Sequence, residues 1–197
     1  MIEYSYLPPT YLNMTILTII GLLLLLLLIC AVMIYNQLVK KKNLMKEGWS
    51  GIDVYLKKRY DLIPNLIETV KGYATHEQQL MENITRLRST AIQSSTNQEK
   101  IVAENGLSQS IGQLMILAEN YPDLKANTNF QQLQSQLETI ESEIEMSRRY
   151  YNGTVRENNI LIESFPSNLL ANAFNFQQGA FFEIQHQEER ENKNISF

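Results

Sequence analysis

An all-α chain with one membrane span is predicted by three features of the sequence. Residues 14–35, MTILTIIGLLLLLLLICAVMIY, carry no charge. The rest is rich in Glu, Gln, Asn and Leu and sparing in Gly and Pro, a mixture that favours helices over sheets. Beyond the span, apolar residues recur at alternating steps of three and four, the mark of long helices packed on partners. The expected architecture is an N-terminal transmembrane helix followed by an elongated antiparallel helical bundle with long kinked helices.

The span comes first. At about 1.5 Å per residue, 14–35 reaches about 33 Å, enough to cross a bilayer core. Lys40, Lys41, Lys42 and Lys46 follow at once, while the N-terminal flank holds only Glu3. Positive flanks stay on the cytoplasmic side. The expected placement is therefore single-pass in the cell (inner) membrane, N-terminus outside and C-terminal domain cytoplasmic. A cleaved signal peptide would need a basic n-region, and no Lys or Arg precedes this core. Ile29 occupies the place before Cys30 where a lipoprotein needs a small residue. A buried core helix would not need the seven leucines Leu22 to Leu28. The chain thus divides into a short extracytoplasmic segment (1–13), the span (14–35), a bundle domain (36–183) and a polar tail (184–197).

Within the bundle, Met45, Trp49, Ile52, Leu56, Tyr60, Ile63, Ile67, Val70, Ala74, Met81, Ile84 and Ala91 form one stripe. Pro64 removes one backbone bond, to Tyr60, but the stripe keeps its phase, which predicts a single kinked helix. The polar run 92–98 predicts a turn. A second helix is expected over about 99–120, ended by Tyr121-Pro122-Asp123. A third is expected over about 128–164, with Phe130, Leu133, Leu137, Ile140, Ile144, Tyr151, Val155 and Ile162 as its stripe and Phe165-Pro166 as its stop. Ser167-Asn168 can cap a short apolar segment at 169–174, and Phe174, Phe176, Phe181 and Phe182 follow.

Composition narrows the chemistry. The net charge is −4, which argues against general nucleic-acid affinity, and Glu143, Glu145 and Glu157 offset the basic-aromatic run Arg148–Tyr151. The single Cys lies in the span, so no intramolecular disulfide or zinc-type cluster is expected. There is no G-x-S-x-G, no Gly-rich phosphate loop and no paired His, so no catalytic, cofactor-binding or metal site is assigned and no small-molecule substrate is identified. Glu138, Glu141 and Glu145 read as a solvated helix face.

One polar group stands apart. Lys58, Asp61, Asn65 and Glu68 share a helix face, with Arg59 and Lys71 close by. The plain reading is a set of exposed ion pairs; the sharper one is a recognition surface or an interhelix network. Because Leu62, Leu66 and Tyr73 add apolar surface beyond the main stripe, this face is expected between two packing faces.

The blocks WSGIDVYLKKRYDLIPNLIETVKGYATHE (49–77), LAENYPDLKAN (117–127), SRRYYNGTVRENNILIESFPSNLLANAF (147–174) and FFE (181–183) resemble the LemA family in order and spacing. The resemblance covers nearly the whole chain. It implies an N-terminal membrane helix, an antiparallel helical bundle and an N-out orientation, and it implies no assigned activity. Gly48 stands where Ala is more usual, Leu87 lies in a segment that is usually smaller, and Asn175 sits where members often have Gly. The expected function is a non-enzymatic, membrane-anchored scaffold that binds protein partners or itself. The alternative is a membrane-surface remodelling or envelope stress-response protein acting on lipid. The expected partners are the lipid bilayer and a protein partner or homo-oligomer.

Overall fold

The computed structural model describes residues 9–74 and 76–183. Among the described residues the chain is all-α, with no strand: α1 (Pro9–Lys71), α2 (Gln78–Gln93), α3 (Asn97–Ala118), α4 (Pro122–Ala126), α5 (Thr128–Glu163) and α6 (Ser167–Ala173). α1 holds one stretch long and apolar enough to cross a membrane, and the side chains of residues 13–29 are all exposed. The tail expected over 184–197 lies outside the described residues, as does most of the segment expected over 1–13.

The described residues fall into two units. One draws from 1–44 and 157–178, the other from 45–156 and 179–197. The first has a small core of Leu38, Ile162 and Ala171, joined by Ile34, Leu161, Leu170 and Phe176. α6 ends in a Schellman motif. Phe176 N–H donates to Ala171 O at 2.9 Å and Asn175 N–H to Asn172 O at 3.3 Å. Asn175 takes the left-handed conformation that this turn needs, with φ 55°. The turn where a glycine is usual is therefore built with the residue that tolerates this region best after glycine. Ser167, expected as a cap, instead opens the helix, and its hydroxyl donates back to Ser164 O at 2.9 Å.

The second unit is the helical bundle. Every stripe position from Met45 to Ala91 is buried or half-buried, as are the α5 positions Phe130, Leu133, Leu137, Ile140, Ile144, Tyr151 and Val155. The expectation of one kinked helix through 91 is corrected, however. α1 passes Pro64 unbroken and ends at Lys71; the chain turns at Gly72–Ala74, and α2 begins at Gln78. Arg88 Nε on α2 donates to Tyr60 O at 2.7 Å. That carbonyl is the one Pro64 deprives of its helical partner, so α2 supplies the missing donor. The periodicity survived because both arms of the turn present apolar residues to one core.

Three residues, 94–96, separate α2 from α3. Its capping box uses Thr96, whose hydroxyl accepts from Glu99 N–H, while the Glu99 carboxylate accepts from Thr96 N–H. Leu87 packs over Gly106 of α3, where a Cβ would lie 3.2 Å from a Leu87 methyl. A glycine opposite thus makes room for the larger leucine. Pro122 does more than end α3: it opens α4, with Pro in the first turn. Gly48 lies so close to α5 that an added Cβ would be 3.3 Å from Tyr151 Cα.

Residues 179–183 close the second unit. Phe182 is buried against Trp49, with ring centroids 5.9 Å apart, and the Arg148 guanidinium lies over the Phe182 ring, its Cζ 4.4 Å from the centroid. Asn152 clamps the Phe182 backbone twice, accepting from its N–H at 2.8 Å and donating to its carbonyl at 3.1 Å. Tyr151 OH donates to Ala180 O and Asn105 to Glu183 O, both at 2.9 Å. This part of the aromatic tail covers its own bundle.

Candidate interaction face

The bundle's central polar cluster arises from a single interruption of the core pattern. Ile52, Leu56, Arg59, Ile63, Leu66 and Val70 follow one another at steps of four and three, and all six are buried. Arg59 thus occupies a core position and is only 1% exposed. On α3, Glu104 interrupts the buried series Ile101, Leu107, Ile111 in the same way and is 2% exposed. The two form an ion pair, and Tyr60 OH donates to the same carboxylate. Arg59 Nη1 also donates to Ser108 Oγ at 2.8 Å and to Glu141 Oε1 at 2.6 Å.

One guanidinium therefore ties α1 to α3 and α5. Its Nε has no hydrogen-bond partner among the described residues. Burial pushes the Tyr60 phenol up to about 12, with Asp53 adding to the rise and Arg59 and Arg88 opposing it. Arg148 is pulled below its ordinary value by burial and by the Arg59 charge, against the pull of Glu141 and Glu145.

Of the six residues singled out in the sequence, Arg59 is turned inside, and it leaves the proposed face for the buried network. Lys58, Asp61, Asn65, Glu68 and Lys71 stay exposed. They run between two sets of grooves. On one side, Lys58, Asp61 and Leu62 of α1 with Gln136, Thr139 and Ile140 of α5 line an opening of about 410 Å³. Next to it, Asn65, Glu68 and Thr69 with Asn129, Gln132, Leu133 and Gln136 line one of about 460 Å³. On the other side, Ile63, Pro64, Ile67, Glu68 and Lys71 of α1 with Thr85 and Arg88 of α2 line one of about 350 Å³.

Leu62 is half-buried, Leu66 buried and Tyr73 exposed, its hydroxyl accepting from Asn127 at 2.9 Å. Lys58 lies over the Tyr55 ring at 5.0 Å, and the Tyr55 phenol is raised by donating to Glu143, by that residue's charge and by partial desolvation. The acidic run on α5 is engaged: Gln134 donates to Glu138 at 3.2 Å, Glu141 pairs with Arg59, and Glu145 lies 3.4 Å from Arg149.

The lysines after the apolar run are on the surface or half-buried. In the first unit, Lys41 pairs with Glu157 at 2.6 Å and Lys42 lies 5.5 Å from the centre of the Phe176 ring. Lys40 and, in the second unit, Lys46 are exposed.

The sequence reading missed Glu104, Ser108, Arg88 and the Asn152 clamp. For Glu104 and Arg59 a signal existed, since each is a charge at an apolar register position. For Arg88 and Asn152 the partner is a backbone atom far along the chain, which leaves no pattern to read.

A model of the LemA family matches residues 48–197. The chain belongs to the LemA family. It is 27% identical over 149 residues to Protein LemA of Metamycoplasma hominis, an alignment covering 75% of this chain and 68% of that protein. It is 20% identical over 175 residues to Magnetosome protein MamQ 2 of Paramagnetospirillum magneticum, covering 76% and 64%. For Magnetosome protein MamQ of Magnetospirillum gryphiswaldense the identity is 19% over 174 residues, covering 75% and 64%. The chain thus spans about two thirds of the length of these relatives.

Proposed function

We propose that this LemA-family chain is a non-enzymatic scaffold, anchored by residues 14–35 with its bundle in the cytoplasm, that binds a protein partner through the exposed face of α1. The observation that carries this reading is the contrast along one stretch of α1. Arg59 is consumed by the core, whereas Lys58, Asp61, Asn65, Glu68 and Lys71 remain at the surface beside grooves with apolar floors such as Leu62 and Ile140. Charged residues rimming a small apolar cleft suit a partner that inserts an apolar side chain and matches charge around it.

The test is crosslinking in cells of the full chain and of a variant with Asp61→Ala and Glu68→Ala. The expected outcome is reduced crosslinking to partners with helicity and melting temperature nearly unchanged, since both side chains are exposed and such surface substitutions usually change stability by no more than about 0.5 kcal/mol. Unchanged crosslinking would overturn the proposal.

A further inference from the structure

We propose that α6 and its flanks lie on the membrane surface, with Phe165, Leu169 and Phe174 entering the boundary between lipid headgroups and acyl chains. The inference rests on reading residues 14–35 as the anchor. Within the first unit, α6 has two unlike sides. Ser167 and Ala171 are buried and Leu170 half-buried, and these face the unit's own core. Leu169 on the opposite side is 61% exposed, Phe165 just before the helix 80%, and Phe174 at its end 58%. The unit's own core, joined by Leu170 and Phe176, leaves these three apolar side chains outside it.

The depth of Phe174 is fixed by α1. The Phe174 ring meets the Tyr35 ring edge-on at 4.9 Å, and Phe176 meets it at 5.9 Å. Tyr35 is the last residue of the segment read as the span, polar Asn36 and Gln37 come next, and Lys40 follows Tyr35 by five residues, about 7.5 Å along the helix. Phe174 therefore sits at the level where aromatic residues concentrate in membrane proteins, just below the first lysines. Lys42 stacked over Phe176 puts a cation at headgroup height on the same patch. A seven-residue helix has little membrane affinity of its own, but one tethered beside a spanning helix needs little, because its binding is intramolecular. The aromatic tail is thus divided in use: Phe182 closes the bundle, and Phe165, Leu169 and Phe174 meet lipid.

The test uses the full chain reconstituted in phosphatidylcholine vesicles with acyl chains brominated either near the headgroup or near the chain end. Leu25→Trp, Leu169→Trp and Phe174→Trp are compared with the wild type, whose sole tryptophan, Trp49, gives the background. All three sites are exposed, so the fold should persist, and circular dichroism checks it. The added emission of Leu169→Trp and Phe174→Trp is expected to shift to the blue and to be lost mostly to the shallow bromines. That of Leu25→Trp should be lost mostly to the deep ones. Quenching of Leu25→Trp alone would overturn the inference and leave the anchor standing. Escape of all three from quenching would overturn the anchor and the inference with it.

Discussion

Arg59 holds a register position that an aliphatic side chain would otherwise fill, and the arrangement works only because Glu104 meets it from α3. Substituting one member leaves the other as an uncompensated buried charge. Arg59→Met is therefore expected to destabilise the bundle by about 3–5 kcal/mol. Adding Glu104→Gln should recover part of that loss, because the stranded charge is gone and Tyr60 OH keeps an acceptor. Chemical denaturation of the two variants measures both effects, and a double variant no more stable than the single would show that Glu104 is not the liability. Tyr60 gives the same cluster a pH signature. Its phenol is raised from 10.0 to about 12, so the folded chain keeps a proton that the unfolded chain has released. The sign follows: this contribution is whole below about pH 10 and is lost as pH rises toward about 12. Tyr60→Phe cannot ionise there. The stability gap between wild type and Tyr60→Phe should narrow across that window in denaturation at stepped pH, and a constant gap would contradict the assignment.

At the scale of elements, Pro64 and Arg88 form one device. The proline costs α1 a hydrogen bond, and the α2 guanidinium restores it from outside the helix. Arg88→Ala leaves Tyr60 O without that donor and should cost about 1–3 kcal/mol. In a Pro64→Ala background residue 64 regains its N–H, so the same substitution should cost much less. A double-mutant cycle on thermal melts reads the difference, and equal costs in both backgrounds would separate the two residues. This pairing also shows where the sequence was legible and where it was not. The apolar steps placed α3 and α5 to within two residues at each end and placed most core side chains, though not Leu38, Leu107 or Leu124, because helix burial writes itself as a 3.6-residue period. The reversal after Lys71 left no break in that period, since Val70, Ala74 and Met81 serve one core from both arms. The face at Lys58–Lys71 was legible as polar, yet Arg59 could be assigned to it only by ignoring its place between Leu56 and Ile63. Contacts made to backbone atoms, as by Asn152 and Arg88, are set by where the chain returns, which no local pattern encodes.

For the molecule as a whole, the outstanding feature is apolar surface with no protein over it. Residues 13–29 of α1 expose every side chain, including all seven consecutive leucines. Burying each such leucine is worth about 1.5–3 kcal/mol, so water is a poor medium for this stretch and a bilayer core a good one. Given a span here, the lysines decide its direction. A reporter fused after Phe197 is expected to be active on the cytoplasmic side, and the bundle should resist protease added outside intact cells. Digestion of the bundle from outside would reverse the assignment. Replacing Lys40, Lys41, Lys42 and Lys46 by Gln should produce a mixed-orientation population that still inserts, because the apolar run is untouched. The only ion pair this removes from the described contacts is Lys41 with Glu157, which is partly exposed and worth at most about 1 kcal/mol. A change in protease protection in that variant, with helicity retained, therefore reports lost orientation bias and not a lost fold.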